Sequence, residues 1–376
     1  MAQMNTRPKG VLVPTPCPEN HASFLHRLPD ERLAVAWFGG SREGRPDVRI
    51  YWSVREMGTW GKAEQLSPDT DGSDQNPVLA SLPGGELWLL YTSQHLGAQD
   101  TARVMRRVSL DNGLTWSEPA ALLEKTGVFI RHDLIVLSDG TLLLPAFHCT
   151  VLPGRQWHGD ADTSVVLRST DQGRTWDEVE VPASVGAVHM NIVPFEDGGL
   201  VAFFRSRWAD YVYRSESNDG GQTWTPPSPL DVPNNNSSIQ VRAAPEYGPD
   251  TLVAALNPVQ APPGSEHGDP ARSTDPGKLI APGETTPIDR HAVWGPPRIP
   301  LSLLRSDDRG ITWVHVVDFE QAGQVPEEDL RAASDKRKNE MSYPSVIVVG
   351  REVHVTYSYN RLAIKHVIVG PETVAK

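Results

Sequence analysis

Ser306-Asp307-Asp308-Arg309-Gly310-Ile311-Thr312-Trp313 decides the fold, because the chain repeats this octapeptide. SLDNGLTW stands at Ser109–Trp116, STDQGRTW at Ser169–Trp176 and SNDGGQTW at Ser217–Trp224. SVREMGTW at Ser53–Trp60 is a worn copy that keeps Ser, Thr and Trp but lacks the Asp. The pattern S-x-D-x-G-x-T-W predicts a compact turn. Its Ser and Asp side chains bond nearby backbone N–H groups, its Gly takes a positive φ, and its Trp anchors the turn. Four intact copies and one degraded copy define a repeat architecture.

Working outward, each octapeptide follows an apolar strand, a tight polar turn and a second apolar strand. The hairpins are Phe24–Phe38, Val78–Tyr91, Leu134–Phe147, Ile192–Phe204 and Arg242–Leu256, and a sixth at Val346–Tyr357 runs into the C-terminus. Pro-Asp, Gly-Gly, Asp-Gly and Gly-Pro-Asp at their tips are hairpin chemistry. Hairpin, third strand, octapeptide turn and fourth strand make a four-stranded blade. Six such blades closed in a ring predict an all-β, six-bladed β-propeller, a fold that protects its sheet edges by radial repetition. Residues around Val11–Val13 are expected to close the ring on the last blade, near Val367–Val369. The octapeptides are expected on the outer side, away from the site, with their Trp residues largely buried.

The reading is one domain over residues 1–376. Ala261–Pro297, rich in Pro, Gly and charge, reads as a long inserted loop at the rim of the site, with an interdomain linker as the alternative; Glu327–Arg337 alone looks helical. The 33 Pro and 31 Gly suit short strands joined by turns. A net charge of −12 argues against a nucleic-acid partner. Two cysteines, Cys17 and Cys149, supply no disulfide framework. No apolar stretch is long enough for a signal peptide or a membrane span, so the expectation is a cytoplasmic protein without a membrane partner. No metal-ligand spacing, phosphate loop or nucleophile elbow occurs, so neither metal nor cofactor is expected. Oligomeric state is not legible.

In a propeller the residues opening each hairpin converge on a central funnel. Here they are Asn20 and His21, Asn76, Arg131 and His132, His189, Asn236 within Asn234–Gln240, and Glu340 with Tyr343. Hairpin exits add Glu43, Asp47, His148, Arg205, Arg207 and Arg361, and Arg298 stands before the Leu301–Leu304 strand. So many polar side chains converging point to a ligand, since buried polar groups are costly unless paired. Arginines around one funnel suggest a carboxylate, which the guanidinium fork binds bidentately.

With this repeat, the chain resembles the sialidase (neuraminidase) superfamily, six-bladed propellers marked by this "Asp box", from about Asn20 to Val369. The resemblance implies that Tyr343, opening the final hairpin, is the nucleophile. It places two of the family's three carboxylate-binding arginines at Arg205 and Arg298, and its acid/base at Glu43 or Asp47. The family's first arginine is matched here by Asn20-His21-Ala22, and the Glu that activates the tyrosine by His189, with Glu340 as the other candidate helper. The expected partner is an acidic mono- or oligosaccharide. Three reactions stay open: glycoside hydrolysis of an acidic sugar, uronate lysis by Tyr343 or a histidine, and carbohydrate binding without catalysis. A positive floor beneath Tyr343 is expected to favour its ionisation.

Overall fold

The computed structural model describes residues 8–68, 70–95, 97–153, 157–262, 265, 290–321 and 339–375. Six antiparallel sheets follow one another in chain order as the six blades of a propeller ring. The strands of blade 1 are Glu19–Arg27, Leu33–Gly40, Arg49–Glu56 and Thr59–Trp60, with Glu64–Gln65 also on the third. Blade 2 holds Gly72–Ser81, Leu87–His95, Ala98–Ser109 and Ala120–Ala121. In blade 3 the inner strand is split into Val128–Ile130 and Ile135–Val136, both paired to Leu142–His148, followed by Thr163–Ser169 and Asp177–Glu180. Blade 4 is Ala187–Pro194, Leu200–Ser206, Tyr211–Ser217 and Ser228–Pro233; blade 5 is Gln240–Ala243, Leu252–Leu256, Leu301–Ser306 and Val314–Glu320. Blade 6 takes Met341–Val349, Glu352–Tyr359 and Ala363–Val369 from the C-terminal part. Its outer strand is Gly10–Val13, in register Gly10 to Val367 and Val13 to Ile364, so the ring closes as expected.

The second strand of each blade explains the packing. Leu33–Gly40 and Leu200–Ser206 are buried at every residue, because these strands are covered on both faces by neighbouring blades. Such strands read as continuous apolar runs rather than as alternation.

The four intact octapeptides fold alike. In Ser169–Trp176 the Ser169 hydroxyl donates to Asp171 at 2.8 Å and accepts from the Gly173 N–H at 2.8 Å. Asp171 also accepts from the Thr175 N–H at 2.9 Å and the Thr175 hydroxyl at 2.7 Å. Gly173 has φ +76°, and a Cβ there would come within 2.5 Å of the Trp88 ring in blade 2. Gly113 meets Trp52, Gly221 meets Leu143 and Gly310 meets Phe203 in the same manner, so each box rides on the preceding blade. Trp224 is buried, but Trp116, Trp176 and Trp313 are only half-buried, less than expected. Their rings roof the outer face, and Trp116 and Trp313 each donate an indole N–H to the box Gly carbonyl.

The worn copy folds differently. Met57 and Gly58 both have positive φ, 45° and 85°, and Arg55–Trp60 and Glu56–Thr59 pair across them as a two-residue hairpin. Without the Asp there is nothing to hold the wider turn. Trp60 is nonetheless buried beside Trp37 and Ile364.

The feature that builds the site is a repeated bulge. The inner strands of blades 1, 2, 4 and 6 each lose register, at His21–Phe24, Gln75–Val78, Val188–Asn191 and Ser342–Ser345. Inside each break sits one left-handed residue: Ala22 (φ 56°), Asn76 (49°), His189 (51°) and Tyr343 (52°). Asn236 (57°) does the same ahead of blade 5. Left-handed φ is uncommon for such residues, and bulges re-aim side chains. Here they set the axial polar cluster. The Asp boxes lie at the other end of the blades: Leu200 pairs with Ser217 of a box, whereas Arg205 pairs with Val188 beside the bulge.

The helical reading at Glu327–Arg337 lies outside the described residues, as does most of 261–297. Residues 290–297 are described and strap across blades 3 to 5. Ala292 N–H donates to Asp160 at 2.7 Å, Val293 N–H to Arg207 O at 2.7 Å, and the Asn235 amide to Pro297 O at 2.6 Å. Among the described residues no helix is long and apolar enough to cross a membrane.

Candidate active site

Tyr343, only 8% exposed, lies at the centre of the polar cluster. Its hydroxyl accepts a hydrogen bond from Arg205 Nη1 at 2.7 Å. The guanidinium groups of Arg131, Arg298 and Arg205 stand 5.4, 5.4 and 5.7 Å from the centre of its ring. The His21 ring is 4.3 Å away and the His189 ring 5.9 Å, the latter edge-on. His132 in turn lies 6.3 Å from His189.

The arginines differ in what neutralises them. Arg207 is fully buried and donates twice to Asp162 Oδ2, at 2.7 and 3.1 Å. Arg298 and Arg361 share Glu340 Oε1 at 2.5 and 2.9 Å, and Arg361 also reaches Glu43 at 2.5 Å. Arg205 has no carboxylate partner among the described residues: its Nε and Nη2 both donate to Asn236 Oδ1, at 2.9 and 2.6 Å. Arg131 also lacks one. It crosses the axis from blade 3 to the carbonyls of Ala22, Ser23, Tyr343 and Pro344, and its Nε donates to the Ser238 hydroxyl. Arg131 thereby ties the bulges of blades 1 and 6 together. In this cluster five buried guanidiniums face three carboxylates, and the surplus positive charge lies against Tyr343.

Burial pulls Arg205 down to about 9 and Arg131 to about 10, which leaves both charged at neutral pH. Burial lowers Arg361 too, but Glu340 and Glu43 outweigh it and raise it. His21, His132 and His189 are held well below the ordinary imidazole range by burial first and by neighbouring arginines second, so all three are neutral. Asp162 is shifted upward, burial outweighing Arg207.

Tyr343, His189, His21, Arg205, Arg298, Arg131, Asn236, Glu340, Arg361 and Glu43 thus form one network, with His132 and Arg207 on its flank. Four residues singled out from the sequence do not join it. Asp47 is exposed and accepts from the Ser41 N–H and hydroxyl, each at 2.9 Å, which orders its own loop. His148 pairs with Glu178 of the outer strand of blade 3 at 3.1 Å. Asn20 donates to Cys17 O and Leu362 O and accepts from Trp37, fastening blade 1 to blade 6. Asn76 is buried in the blade 2 bulge.

Sequence reading passed over Asp162, Ser238, Trp157 and Trp294. Trp294 stacks 4.8 Å over Arg207 and 5.7 Å from Arg205, and Trp157 meets it edge-on at 6.0 Å. Only Ser238 carried a local signal, its place in the polar run Asn234–Gln240. Among the described residues no group of His, Cys, Asp and Glu is arranged to hold a metal ion.

The fold is met in known proteins. The model of the BNR repeat-like domain matches residues 31–355, and the chain belongs to that family. Its fold is that of the sialidase propellers. The Hadza microbial sialidase Hz136 superposes with a TM-score of 0.72 at 15% identity, over 96% of this chain and 68% of that one. A protein of unknown function from Dyadobacter fermentans gives 0.67 at 14% identity, over 97% and 98%. A mutant Trypanosoma rangeli sialidase displaying trans-sialidase activity gives 0.64 at 14%, over 99% of this chain and 59% of that one. No curated protein matches the sequence.

Proposed function

We propose that the chain is an exo-acting glycoside hydrolase for a sugar carrying a carboxylate, with Tyr343 as nucleophile. The observation that carries this is Arg205, a buried guanidinium with no carboxylate partner among the described residues, directed at the Tyr343 hydroxyl. Removing one partner from a buried ion pair is costly, so a lone buried guanidinium is matched to an anion that arrives. A neutral tyrosine hydroxyl suits that anion better than a carboxylate nucleophile, which would repel it.

In this reading the substrate carboxylate displaces Asn236 from the Nε and Nη2 of Arg205, with Arg298 beside it. His189, neutral and held to Ser238 through Nδ1 at 3.2 Å, accepts the phenol proton. The Tyr343 oxygen then bonds to the anomeric carbon as the glycosidic bond breaks. The proton on the leaving oxygen comes from Glu43, which Arg361 holds to the network. Water, giving its proton to Glu43, then attacks the anomeric carbon and breaks the aryl-glycoside bond, and the departing Tyr343 oxygen takes its proton back from His189. Glu340 holds Arg298 and Arg361 in place.

A second reading, a uronate lyase, is favoured by the neutral histidines around Tyr343. There an imidazole or the phenolate removes the C5 proton next to the carboxylate, the C4–O4 bond breaks with the O4-linked group leaving as an alcohol, and the C4–C5 double bond formed absorbs in the near ultraviolet. Assaying acidic and neutral aryl glycosides together with uronides glycosylated at O4, with the absorbance of the sugar product followed, decides between the two. Free phenol with a saturated sugar supports hydrolysis; an unsaturated uronide supports elimination. Sugar binding with no turnover of any substrate would leave a binding propeller instead.

A further inference from the structure

His21 and His132 are each 1% exposed, and neither ring nitrogen of either has a hydrogen-bond partner among the described residues. Several buried polar side chains around them are bonded, Arg205 to Asn236 and Tyr343, Arg131 to four carbonyls and His189 to Ser238, whereas Ser23 Oγ and Arg361 Nη2 also lack a partner among the described residues. Leaving a buried donor or acceptor unpaired costs on the order of 1–3 kcal/mol. Here both nitrogens of both imidazoles are in that position. His21, from blade 1, lies against Tyr343 and the edge of Phe38, and His132, from blade 3, lies on the flank of the cluster 6.3 Å from the His189 ring.

The chemistry of these atoms limits what can satisfy them. A neutral imidazole presents one N–H donor and one bare nitrogen acceptor. A carboxylate only accepts, and a cation only donates. A hydroxyl does both. The charge in the site is equally specific: among the described residues, Arg205 is the arginine that combines a side chain without a carboxylate partner with a position on the Tyr343 hydroxyl. One guanidinium fork takes one carboxylate.

We infer that His21 and His132 are hydroxyl-recognising residues, and that the sugar taken by this site is a hexuronic acid with free ring hydroxyls. This rests on the acidic-sugar reading of the site and narrows it: the carboxylate goes to Arg205 and the ring hydroxyls to the two imidazoles. A neutral hexose satisfies the histidines but not Arg205. An acid without hydroxyls satisfies Arg205 but not the histidines.

The test is binding by calorimetry, at neutral pH, of methyl glucuronoside, methyl galacturonoside, methyl glucoside, cyclohexanecarboxylate and N-acetylneuraminic acid. At least one uronoside is expected to bind more tightly than the other three ligands. His21→Ala and His132→Ala are each expected to weaken that uronoside about tenfold while leaving cyclohexanecarboxylate unchanged. Should either variant fail to fold, His21→Gln and His132→Asn replace it. In the wild-type protein, ¹⁵N-labelled imidazoles of both residues are expected to shift on adding the uronoside. Variants that bind the uronoside as the wild type does, or imidazole signals that stay still, would overturn the inference, as would tighter binding of N-acetylneuraminic acid. Turnover separates the two readings. Hydrolysis of an acidic aryl glycoside that ignores both histidines sinks this inference alone, whereas histidine-dependent uronoside binding without turnover sinks the hydrolase reading alone.

Discussion

Arg205, at the end of the second strand of blade 4, donates to the hydroxyl of Tyr343, in the bulge of blade 6, at 2.7 Å. Neither residue sees the other in sequence, and the contact exists because a left-handed residue in the blade 6 inner strand turns Tyr343 onto the axis. Arg205→Ala is therefore expected to weaken binding of acidic sugars far more than that of their neutral counterparts, measured side by side by calorimetry. Equal loss for both would mean that Arg205 holds the fold rather than the ligand.

Arg207 and Asp162 form a fully buried pair at 2.7 Å, with Arg207 stacked among Phe147, Trp157 and Trp294. Arg207→Ala strands Asp162 in the core and is expected to cost about 3–5 kcal/mol in denaturant unfolding. Asp162→Asn in the same background should restore part of it. An Arg207→Ala protein as stable as the wild type would show that the pair contributes nothing.

The Asp boxes give the protein an acid limit. Asp111 and Asp171 are held below the usual carboxylate range chiefly by the Thr115 and Thr175 hydroxyls. At Asp219 burial works the other way, but the Thr223 hydroxyl and N–H prevail and bring it to about 2. A depressed carboxyl stabilises the fold fully above its unfolded value near 3.8, and that contribution is lost as pH falls through about 2. Asp219→Asn is thus expected to lower the Tm at pH 7, with the gap to wild type closing as pH approaches 2. A gap that is the same at both pH values would contradict the linkage. Because Ser217 of this box and Arg205 of the site lie at opposite ends of blade 4, activity of the folded variant should be unchanged.

His366 in the closing strand stacks on His354 at 5.3 Å, with 3.1 Å between ring nitrogens, and accepts from the Trp60 indole N–H. Burial, then His354 and Arg55, lowers it to about 3. His354 is also lowered, by burial against the opposing pull of Glu352. The unfolded chain therefore takes up protons that the fold refuses: stability is complete above pH 6.5 and declines as pH falls from there toward 3. Urea unfolding at pH 7 and pH 5 is expected to show this slope, and His366→Gln is expected to lessen it, with His21, His132, His189 and His354 among the groups that supply the remainder. A slope untouched by the substitution would assign it to other groups.

The legible part of this molecule was its local chemistry. Asp171 and Gly173 announced their turn, and the apolar runs Leu33–Phe38 and Leu200–Phe204 announced buried second strands. The convergence of Tyr343, Arg205, Arg298, His21 and His189 followed from the propeller geometry. What each arginine does there was not legible, because it depends on partners far away in sequence. Arg131 looks like a ligand-binding residue until its guanidinium is found on carbonyls of blades 1 and 6. Arg207 does so until Asp162 is found beneath it. Asp47 and Glu43 are four residues apart in one loop, and only the fold shows that Ser41 takes the first and Arg361 the second. The worn octapeptide misled in conformation because Met57-Gly58 makes its own tight turn once the Asp is gone.

The central claim is that Tyr343, set against Arg205, performs the chemistry on an acidic sugar. Its most direct measurement is turnover of acidic aryl glycosides by the wild-type protein and by Tyr343→Phe, with sugar affinity determined for both. The expected result is release of the aryl alcohol by the wild type, loss of that release to background in Tyr343→Phe, and sugar binding retained within a few-fold. Undiminished turnover by Tyr343→Phe would contradict the claim.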